Sequence, residues 1–254
     1  MSKQKAAIVS GAAQAIGSAI ANNLSNHGYT VVGFDTNPDI EQREHGLVAD
    51  VSQACDVNRV VAYAATLGNV EVLVNNAAIW QSTPIDHSWP QLLEQYERII
   101  NTNVKGVMML SRLCVPIMQA QKKGWIFNLS GHNVLPWRDE YSSLAAMTNG
   151  TNTDLYDASK WALNGFTDAW AKYLADDNIK VNGLCMGAVD TPMLQNALAA
   201  AHTQLKLPLL QSQQIAQQLI NIMQSGRSGE NFAAWPGESL SLPPLPQPHK
   251  KITG

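Results

Sequence analysis

Tyr156 and Lys160 stand four residues apart in Tyr156-Asp-Ala-Ser-Lys160. On a helix that spacing puts a phenol and an ammonium on one face. A phenol ionises near ~10 in water, too high for a base at neutral pH. A neighbouring cation stabilises the phenolate and lowers that value. Tyr156 could then take a hydroxyl proton from a substrate or return one, as a general acid/base. The spacing alone carries little weight, because Tyr-x-x-x-Lys also falls on surface helices by accident.

A second constellation lies near the start of the chain. The β-branched run at 6–10 reads as a buried strand and leads into Gly11-Ala-Ala-Gln-Ala-Ile-Gly17. Gly11 permits a tight turn, and Gly17 lets the next helix pack close to the strand. The N-terminus of that helix directs free N–H groups at a pyrophosphate. Asp35 closes the next strand, near the offset of a ribose-binding carboxylate. A carboxylate there accepts from ribose hydroxyls and repels a 2′-phosphate. No arginine or lysine follows until Arg43. The pattern therefore favours NAD over NADP. The other reading of Asp35 is a turn cap ahead of Asn37-Pro38.

The elements that must position these groups alternate. Strands are expected at 6–10, 29–34, 46–51, 70–74, 125–129 and 179–184, with helices at 18–28, up to about Gly68, at 92–121 and at 156–175. Strand–helix alternation means parallel pairing, since each crossover is supplied by a helix. The expected fold class is α/β: a single Rossmann-type, doubly wound parallel sheet flanked by helices. A chain of 254 residues fits one such domain. Its expected extent is 1–239, followed by a proline-rich tail at 240–254 that cannot continue a helix or an inner strand.

Taken in order, several further motifs accompany the first two: Asp50-Val51, Asn75-Asn76-Ala77-Ala78, Asn103-Val-Lys-Gly106, and Val181-Asn182 leading to Gly187-Ala-Val-Asp-Thr-Pro192. Together with Gly11–Gly17 and Tyr156–Lys160, the chain from about Lys5 to Gly237 resembles the short-chain dehydrogenase/reductase family, classical type. That resemblance implies roles. Tyr156 is the acid/base, and Lys160 binds the nicotinamide ribose and tunes Tyr156. Asn103 holds a water linking Lys160 to solvent. Val189 and Thr191 bind the carboxamide, and Asp50 and Val51 hold adenine. Asn76 and Ala77 line the middle of the cofactor, while Gln14 and Ile16 add turn contacts. The resemblance also implies a homotetramer or homodimer through the helices at 92–121 and 156–175.

Four positions depart from the family pattern: Ala15 for the middle glycine of the turn, Ala78 for the glycine of N-N-A-G, Met186 for a proline, and Gly131 for a serine. The last matters most, because the family's serine hydroxyl bonds the substrate oxygen. Ser130, one position early, can supply that donor if the turn shifts by a residue. His132, Asn133, Ser142 or Ser143, in or near an inserted segment before Tyr156, can replace it. A third possibility is that no donor remains.

The pocket expected around Trp80, Trp137, Met186, Met193 and Leu194 suits an apolar or aromatic secondary alcohol or ketone, although the same side chains would also serve as core. The net charge of −3 argues against nucleic acid. The six histidines share no ligand spacing, so no metal is expected. The three cysteines read as buried free thiols. With neither a membrane span nor a signal peptide in the sequence, the expected location is cytoplasmic. The expected function is an NAD-dependent alcohol dehydrogenase/ketone reductase. A catalytically weak NAD(H)-binding sensor is the alternative from another class, and epimerase- or dehalogenase-type chemistry on the same fold is a third.

Overall fold

The computed structural model describes residues 4–131, 134, 153–200 and 209–236. Seven strands form one parallel sheet: β1 Lys5–Ser10, β2 Tyr29–Asp35, β3 Gly46–Val48, β4 Asn69–Asn75, β5 Gly124–Gly131, β6 Ile179–Met186 and β7 Asn231–Ala234. Their spatial order is β3-β2-β1-β4-β5-β6-β7. The helices are α1 Ala15–Asn26, α2 Ala54–Leu67, α3 Trp89–Ile100, α4 Gly106–Gln121, α5 Asp154–Tyr173, α6 Pro192–Ala200 and α7 Ser212–Ser225. The doubly wound architecture expected from the alternation is present.

Alternation along the strands feeds two cores. Ala7 and Val9 of β1 pack with Ile20 and Leu24 of α1 and with Ile215 and Leu219 of α7. Ala6 and Ile8 face the other way, onto Val57 and Val60 of α2, Leu110 and Met118 of α4, and Leu174. A strand buried on both faces needs a continuous apolar run, and that is why the β1 sequence shows one.

Some expectations change. The single helix read at 92–121 is α3 and α4 joined by a π-helical turn, Asn101–Lys105, closed by Gly106 N–H donating to the Asn101 carbonyl. Neither α7 nor β7 was anticipated. The buried Ile215, Leu219 and Ile222 of α7 do follow a helical spacing, whereas β7 has only four residues and no usable period. Cys114 and Cys185 are buried thiols as expected, but Cys55 is exposed, because it sits in the first turn of α2. Among the described residues no helix is long and apolar enough to cross a membrane.

Candidate active site

In this strand order the chain reverses direction between β1 and β4, which opens a crevice beyond the carboxyl ends of the strands. A cleft of about 690 Å³ occupies it, and among the described residues every expected site residue except Asn103 lines the cleft.

The nucleotide end is built from the β1–α1 turn. Gly11 has φ +66°, and its N–H donates to the Phe34 carbonyl at 2.8 Å. A Cβ on Gly17 would fall 2.0 Å from the Gly11 carbonyl oxygen, so only glycine allows α1 to start there. Asn76 Nδ2 donates to the carbonyls of Ser10 and Gly11 at 2.9 and 3.0 Å, which locks the turn to β4. Ser10 Oγ accepts from the N–H groups of Asn76 and Ala77, both at 3.0 Å. Sequence reasoning missed Ser10 altogether. Gln14 precedes α1 as its N-cap residue with no side-chain bond, and Ile16 faces the cleft from the first turn.

Asp35 lines the cleft and also serves as the turn cap considered for it. It accepts from Ala13 N–H at 3.1 Å and from Asn37 N–H at 3.0 Å, so it caps the local turns. A carboxylate has about four acceptor sites, which leaves others facing the cleft. Asp50 accepts from Ser52 N–H at 2.8 Å, and its own N–H donates to Asp56 at 2.9 Å. That N–H, with Arg59, holds the Asp56 carboxyl below its ordinary range. Val51 is buried against Gly106.

The chemical end belongs to α5. Lys160 Nζ donates to the Leu129 carbonyl at 3.0 Å and lies 5.5 Å from the centre of the Tyr156 ring. Burial pushes the Lys160 ammonium down to about 8. Burial, and secondarily the Asp157 carboxylate, raises Tyr156 above its ordinary value. Desolvation of the ring is thus the dominant influence on the phenol in the cofactor-free protein.

Asn103 sits behind the cleft wall. Its Oδ1 accepts from Ile79 N–H at 2.9 Å, and its Nδ2 donates to the Ile79 carbonyl and to Ser159 Oγ, both at 3.0 Å. Ser159 Oγ in turn donates to the Tyr156 carbonyl at 2.6 Å. Ser159 is a second residue that sequence reasoning missed.

Ser130 Oγ donates to the Lys160 carbonyl at 3.2 Å. Side chains alternate along a strand, so Ser130 shares a face with Asn128, which bonds Asn75 at 2.9 Å and Thr167 at 2.9 Å. Gly131 occupies the next position with no side chain to offer. His132, Asn133, Trp137, Ser142, Ser143 and the tail at 240–254 lie outside the described residues. Thr191 Oγ1 accepts from Leu194 N–H at 3.2 Å and so caps α6. Val189 is bridged to Leu210. Trp80, Met186, Met193 and Leu194 are apolar residues lining the same cleft as Tyr156. No cluster of metal-ligating side chains occurs among the described residues.

The chain matches the family model for short chain dehydrogenases over residues 5–202, and it belongs to that family. It is 32% identical over 212 residues to an (S)-acetoin-forming diacetyl reductase of Staphylococcus aureus, covering 79% of this chain and 77% of that protein. It is 30% identical over 203 residues to a 3-oxoacyl-(acyl-carrier-protein) reductase of Thermotoga maritima, covering 75% and 76%. Among solved structures, a Brucella melitensis 3-ketoacyl-(acyl-carrier-protein) reductase with NADH superposes with a TM-score of 0.76 at 24% identity, over 92% of this chain and 97% of that one. A Beutenbergia cavernae protein with NADP at low occupancy gives a TM-score of 0.76 at 24% identity, over 90% and 94%. The protein is therefore an oxidoreductase of this family, built to bind a nicotinamide cofactor.

Proposed function

We propose that the protein is an NAD-dependent dehydrogenase/reductase interconverting a secondary alcohol and a ketone. The observation that carries this reading is a buried Tyr156–Lys160 pair in the same cleft as a glycine turn and Asp35. The cradle fits a dinucleotide, since Gly11 and Gly17 have no room for a Cβ. Asp35 supports NAD, because its carboxylate would oppose a 2′-phosphate. Bound NAD would supply the hydride acceptor and a cationic ring.

The chain's own groups handle the proton. Tyr156 takes it from the substrate hydroxyl in the oxidative direction and returns it in the reductive one. Lys160, held by the Leu129 carbonyl, keeps positive charge within reach of the phenol. The side-chain amide of Asn103 is spent on Ile79 and Ser159. The water-holding role proposed for Asn103 is assigned to its main-chain carbonyl, in the π turn. Trp80, Met186, Met193 and Leu194 support an apolar or aromatic substrate, while the diacetyl reductase relative points to small dicarbonyls as well. Helices α3 to α5 would join copies into a homodimer or homotetramer.

Ser130 favours a second reading. With its hydroxyl on Lys160 O and glycine at 131, one donor to the substrate oxygen is absent from β5. Losing such a donor costs on the order of 10²-fold in rate. A catalytically weak NAD(H) sensor follows if no other group replaces it. The test is absorbance at 340 nm with NAD or NADP over a panel of secondary, aromatic and vicinal hydroxyketone substrates. NADH formation with NAD alone is expected. Silence across the panel, with tight NADH binding by fluorescence, would move the protein to the sensor class.

A further inference from the structure

Trp80 lines the cleft from a segment after β4 that is held on both sides. Before it, Asn103 bonds both main-chain groups of Ile79, at 2.9 and 3.0 Å. After it, the buried Gln95 donates through Nε2 to the Ser82 carbonyl at 3.1 Å. Gln95 Oε1 is itself met by His87 Nδ1 at 3.0 Å. The indole is therefore presented from a fixed stretch of backbone.

Trp80 packs on a small apolar cluster of Ala188, Ala197, Leu198 and Trp235, and so does Leu194. These partners come from the other side of β5. Ala188 follows β6, Trp235 follows β7, and the remaining three lie on α6. In the order β4-β5-β6-β7, a contact from the segment after β4 to those after β6 and β7 passes over the carboxyl end of β5. That end carries Ser130 and Gly131, which share the cleft with Tyr156 and Lys160. The far side of the contact is also anchored. Asp190 N–H donates to the Leu210 carbonyl at 2.8 Å, and Gln195 Nε2 donates to Asp190 Oδ1 at 3.0 Å. A Cβ on Gly187 would fall 3.0 Å from Trp235 Cε3, so the buried indole is seated against that backbone. Close-packed side chains yield little volume without strain.

We propose that Trp80, through this contact, closes the substrate end of the cleft and sets an upper limit on the size of the carbonyl substrate. The substrate class is a compact ketone or vicinal diketone with short aliphatic arms, in preference to a phenyl ketone or a long acyl chain. The proposal rests on the oxidoreductase reading above and narrows its substrate. A phenyl arm would have to part Trp80 from the α6 cluster, whereas a methyl arm leaves the contact intact.

The test measures kcat/KM from NADH or NADPH consumption for two matched pairs. Each pairs a small ketone with the analogue in which one methyl is replaced by phenyl: diacetyl with its phenyl analogue, and acetone with acetophenone. A long-chain β-ketoacyl thioester is the fifth substrate. Wild type should favour the small member of a pair by about tenfold or more, the discrimination that a fitted apolar pocket provides. Trp80→Ala should raise the phenyl member about tenfold without raising the small one. Leu194→Ala trims the contact from α6, where alanine is a good helix former, and should move the preference the same way. NADH affinity, by nicotinamide fluorescence, reports whether each variant is folded. If Trp80→Ala loses it, Leu194→Ala decides the matter alone. A wild type that favours the phenyl members or the thioester overturns the size limit and leaves the oxidoreductase standing. So does a preference that neither variant moves. Tight NADH binding with no turnover of any of the five would overturn the oxidoreductase reading itself, and the size limit with it.

Discussion

Lys160 gives up nearly all contact with water to reach the Leu129 carbonyl, and its depressed pKa records the cost. An unfolded lysine titrates at 10.5 and the folded one at about 8. Between those values the unfolded chain holds a proton that the folded one has released, so this group makes stability rise with pH. Below the folded value the destabilisation is complete. Urea unfolding of the cofactor-free protein should therefore show a gain of roughly 3 kcal/mol across the full window relative to Lys160→Met. Parallel pH profiles for the two proteins would show that Lys160 is not desolvated. Tyr156→Phe removes only the proton donor and keeps the ring, so turnover should fall by at least ~10²-fold while NADH affinity is unchanged; a variant that still turns over would take Tyr156 out of its role. Ala15 pays a different penalty, with φ +47° in the left-handed region. Ala15→Gly should raise Tm by about 2–4 °C, for a gain of about 1 kcal/mol. Gly11, Gly17 and Asp35 were readable in the sequence, because a backbone shape or a charge demands those residue types locally. Ser10 and Ser159 were not. Their hydroxyls serve groups 66 and 56 residues away in the chain, on other elements.

At the scale of elements, the helix read at 92–121 hid its most informative feature. A π turn keeps the chain helical, so the apolar pattern runs on through it, and only the structure shows the offset that aims Asn103 at Ile79. Such insertions are often found at functional sites. A second buried polar connection holds the two site-bearing elements β5 and α5 together. Ser111 of α4, Asn75 of β4, Asn128 of β5 and Thr167 of α5 are linked in turn at 3.1, 2.9 and 2.9 Å. Thr167 Oγ1 also donates to the Leu163 carbonyl at 2.9 Å. Thr167→Val keeps the shape but leaves the Asn128 amide unpaired in a fully buried position. Denaturant unfolding should show a loss of about 1–3 kcal/mol. An unchanged midpoint would mean that the Thr167 bond contributes nothing and that packing alone seats α5. The asparagine of β4 was singled out from the sequence as part of a motif. Its partners were not, since polar residues inside a predicted strand or helix give no indication of which neighbour they face.

For the whole molecule, alternation of strands and helices conveyed the layering, because parallel pairing and right-handed crossovers leave few topologies. It could not convey which helix faces stay uncovered. On α3, Trp89, Leu93 and Tyr96 recur at helical spacing, with exposures of 69%, 44% and 49%. On α5, Trp161 is 57% exposed, and one turn later a Cβ on Gly165 would meet nothing within 4 Å. Large aromatic side chains on adjacent helices, with room for a close backbone approach, suit a self-complementary contact between copies of the chain. Light scattering of the eluted protein should give a multiple of 27.6 kDa. Trp161→Glu places a charge in that contact and should shift the mass toward the monomer, with secondary structure retained. If the variant keeps the wild-type mass, the interface lies away from this face of α5. A wild-type monomer would remove the assembly altogether and leave the aromatic stripe of α3 as an exposed surface without a partner. Because Trp161 directly follows Lys160, dissociation also bears on the chemistry: an assembly that braces α5 should lower kcat when broken, with the NADH constant little changed.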